Sequence, residues 1–191
     1  MSKVVVGESG ARRLGTVAVV LSLAVPVFAQ RERAQPPATL SWQTTLVPAG
    51  EPGDALIVSG TVFAADGKAP APGVVVYAYQ TDARGLYTPD GRPGVPRLHG
   101  WMRTDDRGRY EFRTIRPASY PGQTVAAHIH MSVDAGGREQ TIDDIHFEGD
   151  PLLTASMRGR MVVDGPFSTL CRPERDASGA RRCTRNIRLG P

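Results

Sequence analysis

Leu56-Ile57-Val58-Ser59-Gly60-Thr61-Val62-Phe63 is a strand-length run of aliphatic, β-branched and aromatic side chains, and Asp66-Gly67 closes it with a turn signal. The same unit recurs along the chain. Val74-Val75-Val76-Tyr77-Ala78-Tyr79-Gln80 is followed by Arg84-Gly85, Arg109-Tyr110-Glu111-Phe112-Arg113-Thr114 by Pro117, and the run 125–133 by Gly136-Gly137. Strands this short and this evenly punctuated predict an all-β fold, an antiparallel two-sheet β-sandwich. A last strand is expected over 184–189, and the one expected helix is a short one near 151–157. The 21 glycines and 16 prolines among 191 residues exceed the roughly 12% of average usage. They argue against a helical bundle. A 40% hydrophobic and 22% charged composition suits a folded core and rules out wholesale disorder, collagen and coiled coil.

The chain ends carry different information. Lys3, Arg12 and Arg13 precede the apolar run 14–25, and Val27-Phe28-Ala29 places small residues at the −3 and −1 positions of a signal-peptidase site. We read 1–29 as a secretory signal, with export to the periplasm or beyond. The apolar run is shorter than the ~20 residues a bilayer span needs, and Pro26 interrupts its end, so no membrane association is expected after cleavage. Arg12-Arg13 leaves the twin-arginine route open beside general secretion. The Pro- and Gly-rich stretch 30–54 reads as an N-terminal arm or linker, and 55–191 as the sandwich domain. Among the basic residues only Lys3 and Lys68 are lysine, and the arginines are scattered rather than blocked, so nucleic acid is not an expected partner. In an exported chain Cys171 and Cys183, 12 positions apart, predict a disulfide closing a surface loop. Such a bridge is worth on the order of 3 kcal/mol.

The chemistry gathers in the middle. In His128-Ile129-His130 the two-residue period of a strand sends both imidazoles to one face and Ile129 to the other. That is either a two-toothed metal grip or a pair of histidines satisfied by hydrogen bonds. Tyr77, Tyr79, Tyr110 and Phe112 alternate within strands and read as core residues. Tyr87 and Tyr120 sit instead in turn-forming sequence, where a tyrosine commonly caps the core with its hydroxyl in water.

Gly85-Leu86-Tyr87, Arg103-Thr104-Asp105, Gly108-Arg109-Tyr110-Glu111-Phe112, Tyr120-Pro121, Ala127-His128-Ile129-His130 and Phe147-Glu148-Gly149-Asp150-Pro151-Leu152 follow one another here in the order seen in intradiol ring-cleavage dioxygenases. Over roughly residues 57–190 the chain resembles a short, exported member of the protocatechuate and catechol dioxygenase family. Tyr120-Pro121 followed closely by the histidine pair is the more specific part. The segment from Thr104 to Phe112 also resembles transthyretin-like and carboxypeptidase-regulatory-like sandwiches. The resemblance implies long loops carrying a non-haem Fe(III) site with Tyr87, Tyr120, His128 and His130 as ligands, a donor set that suits a hard ferric ion. It implies an aromatic diol and O2 as partners, with Tyr120 giving way to the substrate and accepting its proton. The implied product is a muconate-type diacid, opened between the two hydroxylated carbons.

Two positions that the resemblance assigns to substrate contact depart from the family pattern. Val125 stands where an arginine is usual, and Asp144 where a glutamine is usual, with His146 at a position often held by tyrosine. Arg103, Arg113 and Arg116 are candidates to restore the lost charge. Two other readings stay open. One is a metal-free sandwich acting as a binding module. The other is a copper or zinc site on His128 and His130 with His99 or His146 as third ligand.

Overall fold

The computed structural model describes residues 35–191 apart from Ser178. The expected signal segment 1–29 lies outside the described residues. In chain order the elements are β1 (Gln43–Thr45), β2 (Ala55–Phe63), β3 (Val75–Gln80), β4 (Leu98–Arg103), β5 (Arg109–Ile115), β6 (His128–Ala135), β7 (Arg138–Phe147), α1 (Ala155–Arg158), β8 (Leu170–Cys171), β9 (Glu174–Arg175), β10 (Arg181–Thr184) and β11 (Ile187–Arg188). One sheet runs β1-β5-β2-β10-β9 with β11 also on β2, and the other runs β4-β3-β6-β7-β8.

The sandwich expected from sequence is present, antiparallel through its central pairs β2–β5, β4–β3, β3–β6 and β6–β7. Several short strands pair parallel, β1 on β5, β10 and β11 on β2, and β8 on β7, while β9 closes its edge antiparallel on β10. Both sheets are therefore mixed. Leu56, Val58 and Val62 of β2 meet Tyr110 and Phe112 of β5 in the core, facing Val76, Ala78, Ile129, Met131, Val133, Ile145 and Phe147 of the second sheet. Period two delivers these side chains to a single layer. Buried Gln80 is satisfied across that layer: its Nε2 donates to the Ile115 carbonyl at 2.8 Å, and its Oε1 accepts from Thr114 Oγ1 at 2.9 Å.

Tyr110 and Phe112 are core residues as expected and Tyr77 is buried as well, but Tyr77 and half-buried Tyr79 are outside the layer between the sheets. They lie on the outer face of the second sheet, where Tyr77 packs on Trp101 with ring centroids 4.6 Å apart. The expected strand 184–189 is broken into β10 and β11 at Arg185-Asn186. Asn186 Oδ1 accepts from the Thr61 amide at 2.9 Å, and Arg185 turns its carbonyl onto Gly60, where a Cβ would sit 2.0 Å from it.

The cysteine bridge forms, with a correction to its placing. Cys171 lies in β8 of one sheet and Cys183 in β10 of the other, both are buried in the core, and the bond crosses the sandwich rather than pinning a surface loop. Among the described residues no helix is long and apolar enough to cross a membrane.

Candidate metal centre

The outer face of the second sheet supplies the floor of the site. His128 and His130 leave β6 on that face, and Tyr79 of β3 stands in register with His130 and stacks on it at 4.6 Å between centroids. Two loops bring the remaining donors. Tyr87 sits in the loop between β3 and β4, and Tyr120 in the irregular segment 116–127 before β6.

Asp82 shapes the first loop. Its Oδ1 accepts from the amides of Arg84 at 2.8 Å and Leu86 at 3.0 Å, and its Oδ2 from the Arg84 guanidinium at 2.8 Å. Burial opposes its charge, but these donors outweigh that and hold the carboxyl below its usual range. Arg97 secures the far end: its amide donates to the Tyr87 carbonyl at 2.7 Å while its guanidinium grips both oxygens of Glu51 at 2.6 Å. Gly85 allows the two loops to meet. It has φ +82°, and a Cβ there would lie 2.0 Å from the Ser119 carbonyl oxygen. Asp150 ties the approach to β6, its Oδ2 accepting from the Ala127 amide at 3.2 Å.

These supports bring four donor atoms together. Tyr87 Oη and Tyr120 Oη are 2.5 Å apart, Tyr120 Oη is 3.0 Å from His128 Nε2 and 3.4 Å from His130 Nε2, Tyr87 Oη is 2.9 Å from His130 Nε2, and the two Nε2 atoms are 3.0 Å apart. Such separations match donors about 2 Å from one shared centre. The protons of the rings agree. His128 Nδ1 faces the Ala126 carbonyl at 2.8 Å, and His130 Nδ1 faces Asp144 Oδ1 at 2.9 Å. Both partners are acceptors, so each Nδ1 carries the proton and each Nε2 keeps its lone pair. Burial pushes the His128 ring below the usual imidazole range, which keeps it neutral. Two lone pairs aimed at each other across 3.0 Å, beside two phenols, form a cage suited to a cation.

Asp144 reaches His130 because β7 is bulged there. Ile129 pairs with Ile145 and Met131 with Ile142, so Asp143 and Asp144 together oppose the single residue His130. His128, His130 and Asp144 also cluster as potential ligands, but Asp144 meets the Nδ1 side of His130, away from the four-atom cage. Val125 is half-buried at the end of the Tyr120 segment. The three arginines considered as replacements are engaged elsewhere: Arg103 donates to the Gly73 carbonyl, Arg113 lies 3.9 Å from Glu111, and Arg116 lies over the Phe147 ring. The third ligands of a copper or zinc site do not join the cage. Tyr79 separates His99 from His130 in the strand register, and His146 stacks on His128 at 5.7 Å between centroids.

A cavity of about 450 Å³ opens beside His130 and Asp144, walled by Ile142, Met157, Met161 and Thr169 with Arg160 among its lining residues. Tyr79, Asp82, Gly85 and Arg97 were not singled out from sequence as parts of the site. Arg84-Gly85 was read only as a turn, and the Asx-type pattern that Asp82 adds in front of it is the signal that could have located a fixed loop there.

A family model described as Dioxygenase matches residues 25–169. The chain belongs to the intradiol dioxygenase family. Catechol 1,2-dioxygenase of Acinetobacter baylyi is 34% identical to this dioxygenase-family chain over 135 residues, covering 59% of this chain and 43% of that protein. The protocatechuate 3,4-dioxygenase beta chain of Burkholderia cepacia is 37% identical over 118 residues, covering 54% and 49% respectively. The chain thus spans about half the length of these curated relatives. Among solved structures, the dioxygenase domain of a dioxygenase–carbohydrate-binding fusion from Streptomyces sp. SirexAA-E superposes with a TM-score of 0.59 at 29% identity, covering 84% of this chain and 94% of that one. Catechol 1,2-dioxygenase from Acinetobacter sp. ADP1 gives a TM-score of 0.64 at 24% identity, covering 83% and 60%, a likeness of fold.

Proposed function

We propose that this family member is an exported, non-haem Fe(III) enzyme that opens an aromatic diol with O2 between its hydroxylated carbons to a muconate-type diacid. The observation that carries the proposal is the convergence of Tyr87 Oη, Tyr120 Oη, His128 Nε2 and His130 Nε2 within 2.5–3.4 Å. These four residues would hold the iron. Two phenolates offset its charge and two neutral imidazoles complete the set. When bound, ferric iron supplies Lewis-acid polarisation of the diol.

The chain's own residues account for the rest. His128 and His130 are built into β6 and the Tyr87 loop is tied at both ends by Asp82 and Arg97, so Tyr120, on the irregular segment 116–127, is assigned as the donor that gives way. Its displacement would free a phenolate to take a proton from the entering diol. The cavity beside His130 is large enough for one substituted ring and borders the centre through His130 alone of the four donors, with Ile142, Met157 and Met161 offering apolar contact to the ring. Asp144 borders this cavity while engaged with His130, and Val125 adds no charge to the site. Export accords with a disulfide buried in the core, since such bonds persist in oxidising compartments.

The test is purification with iron, followed by the visible spectrum, metal content and O2 uptake with catechol. A tyrosinate-to-iron band from about one iron per chain, shifting on anaerobic addition of catechol and followed by stoichiometric O2 consumption, is the expected result. A protein that stays colourless after iron reconstitution refutes the proposal.

A further inference from the structure

Arg185 is a buried cation, 5% exposed, in the break between β10 and β11 of the first sheet. Desolvation pushes its pKa down, an unfavourable setting for a charge that a guanidinium does not give up. Its hydrogen bonds run to main-chain carbonyls: Asn186 at 2.5 Å, Phe167 at 3.5 Å and Asp143 at 3.2 Å. Its Nε is buried without a partner among the described residues. A buried arginine spent on carbonyls is costly, and apolar packing would serve stability as well. The position of one of those carbonyls gives the cost a purpose.

Asp143 is half of the β7 bulge. It shares with Asp144 the place opposite His130, and a bulged strand loses the regular ladder that would otherwise fix it. The carbonyl of Asp143 is fixed instead by Arg185 Nη2, reaching over from the other sheet. The next side chain along is the carboxylate on His130 Nδ1. Arg185 is itself anchored: Tyr110 Oη donates to its carbonyl at 2.5 Å, its amide donates to the Ser59 carbonyl at 2.9 Å, and Gly60 leaves the space it needs. A continuous chain therefore runs from the core of one sheet to the histidine on the outer face of the other.

We infer that Arg185 is a positioning residue for the metal centre, holding the Asp143 carbonyl so that the bulge presents Asp144 to His130. Only the iron readout below rests on the proposed metal site. A partner on the far nitrogen of a ligating histidine fixes its ring and tautomer, and losing one typically costs 10–100-fold in metal affinity.

The experiment uses the full chain with Arg185→Gln, Arg185→Lys, Asp144→Ala and the double variant Arg185→Gln/Asp144→Ala. In the metal-free protein, 15N-edited NMR of the histidine rings reports the His130 Nδ1–H, which Asp144→Ala identifies by moving it. Arg185→Gln is expected to move that resonance in the same direction while the His128 Nδ1–H, bonded to Ala126, stays put. Iron affinity by chelator competition is expected to fall about tenfold in Arg185→Gln and to show no further fall when Arg185→Gln is added to Asp144→Ala. Arg185→Lys, which keeps the charge and loses the fork, decides the matter by the same signals if the glutamine variant does not fold. An unmoved His130 resonance, or equal losses of iron affinity in both backgrounds, overturns the inference. A wild-type protein that takes up no iron refutes the proposed function instead, and the ring N–H result then still decides the role of Arg185.

Discussion

Gly85→Ala tests whether the two tyrosine loops are held together as the geometry requires. An alanine at φ +82° carries backbone strain of about 1–2 kcal/mol. Its Cβ would also meet the Ser119 carbonyl oxygen at 2.0 Å, with the Pro121 ring 3.0 Å away. Ordinary carbon–oxygen contact lies above 3 Å, so the Ser119 carbonyl must retreat by roughly 1 Å or more. Both neighbours flank Tyr120, whose hydroxyl meets the other donors within 2.5–3.4 Å, and a shift of that size opens the cage. Gly122→Ala is the control. It lies in the same segment at φ +70° with nothing within 4 Å, so it carries the strain without the clash. Strain alone lowers the midpoint of thermal unfolding by about 2–8 °C for a domain of this size, and both variants are expected to show at least that. Only Gly85→Ala is expected to lose iron affinity and the tyrosinate band. If Gly85→Ala and Gly122→Ala bind iron alike, with unchanged spectra, the contact between the loops does not organise the site.

Three further outcomes follow from the same geometry. Tyr87→Phe and Tyr120→Phe are each expected to weaken and shift the visible band of the iron-loaded protein, and an unaltered band in either removes that tyrosine from the ligand set. Cys171→Ala/Cys183→Ala removes the one described disulfide, which links the two sheets, and should cost about 3 kcal/mol, read from denaturant unfolding with the slope fitted freely because the released unfolded chain exposes more surface; a loss under about 1 kcal/mol would mean the bridge adds little to the packed core. Burial holds the His128 and His146 rings below their usual pKa, so between that value and the depressed folded one the unfolded chain binds more protons. Stability of the metal-free protein is therefore expected to fall as pH drops below about 6.5, with a smaller slope in His146→Gln, and a flat profile between pH 5 and 7 would contradict the burial of these rings.

The central strands were legible because one side of each lies in the core and shows it in the sequence. β2 and β5 alternate Leu56, Val58, Val62 and Tyr110, Phe112 toward the interior, and their ends fall within a residue or two of expectation. β4 and β7 were not anticipated. Leu98, Gly100 and Met102 face inward on β4, and the glycine that breaks the apolar pattern is there because Leu46 of the arm comes within 2.7 Å of where its Cβ would be. β7 is ten residues long, but only Ile145 and Phe147 at its end are buried, so most of it reads as polar loop. The parallel margin strands are too short to carry a period at all, and long-range pairing alone defines them.

The site divides along the same physical line. His128 and His130 project together because a strand has period two, a rule that acts within three residues and so is visible in them. Nothing local joins Tyr87 to Tyr120, which are 33 positions apart; their meeting depends on Gly85 lacking a Cβ and on Asp82 and Arg97 fixing the loop from both ends. Asp144 is a stronger case. Its reach to His130 depends on one extra residue in β7, and a period-two reading of 138–147 has no means of locating a bulge. A bulge is a backbone event decided by what satisfies the freed carbonyl, and here that donor is Arg185, 42 positions away in the other sheet. The ligand types could therefore be read from short motifs, whereas the groups that orient them belong to tertiary contacts. A change at Asp144 or Arg185 would leave every ligand motif intact while altering how firmly His130 is held.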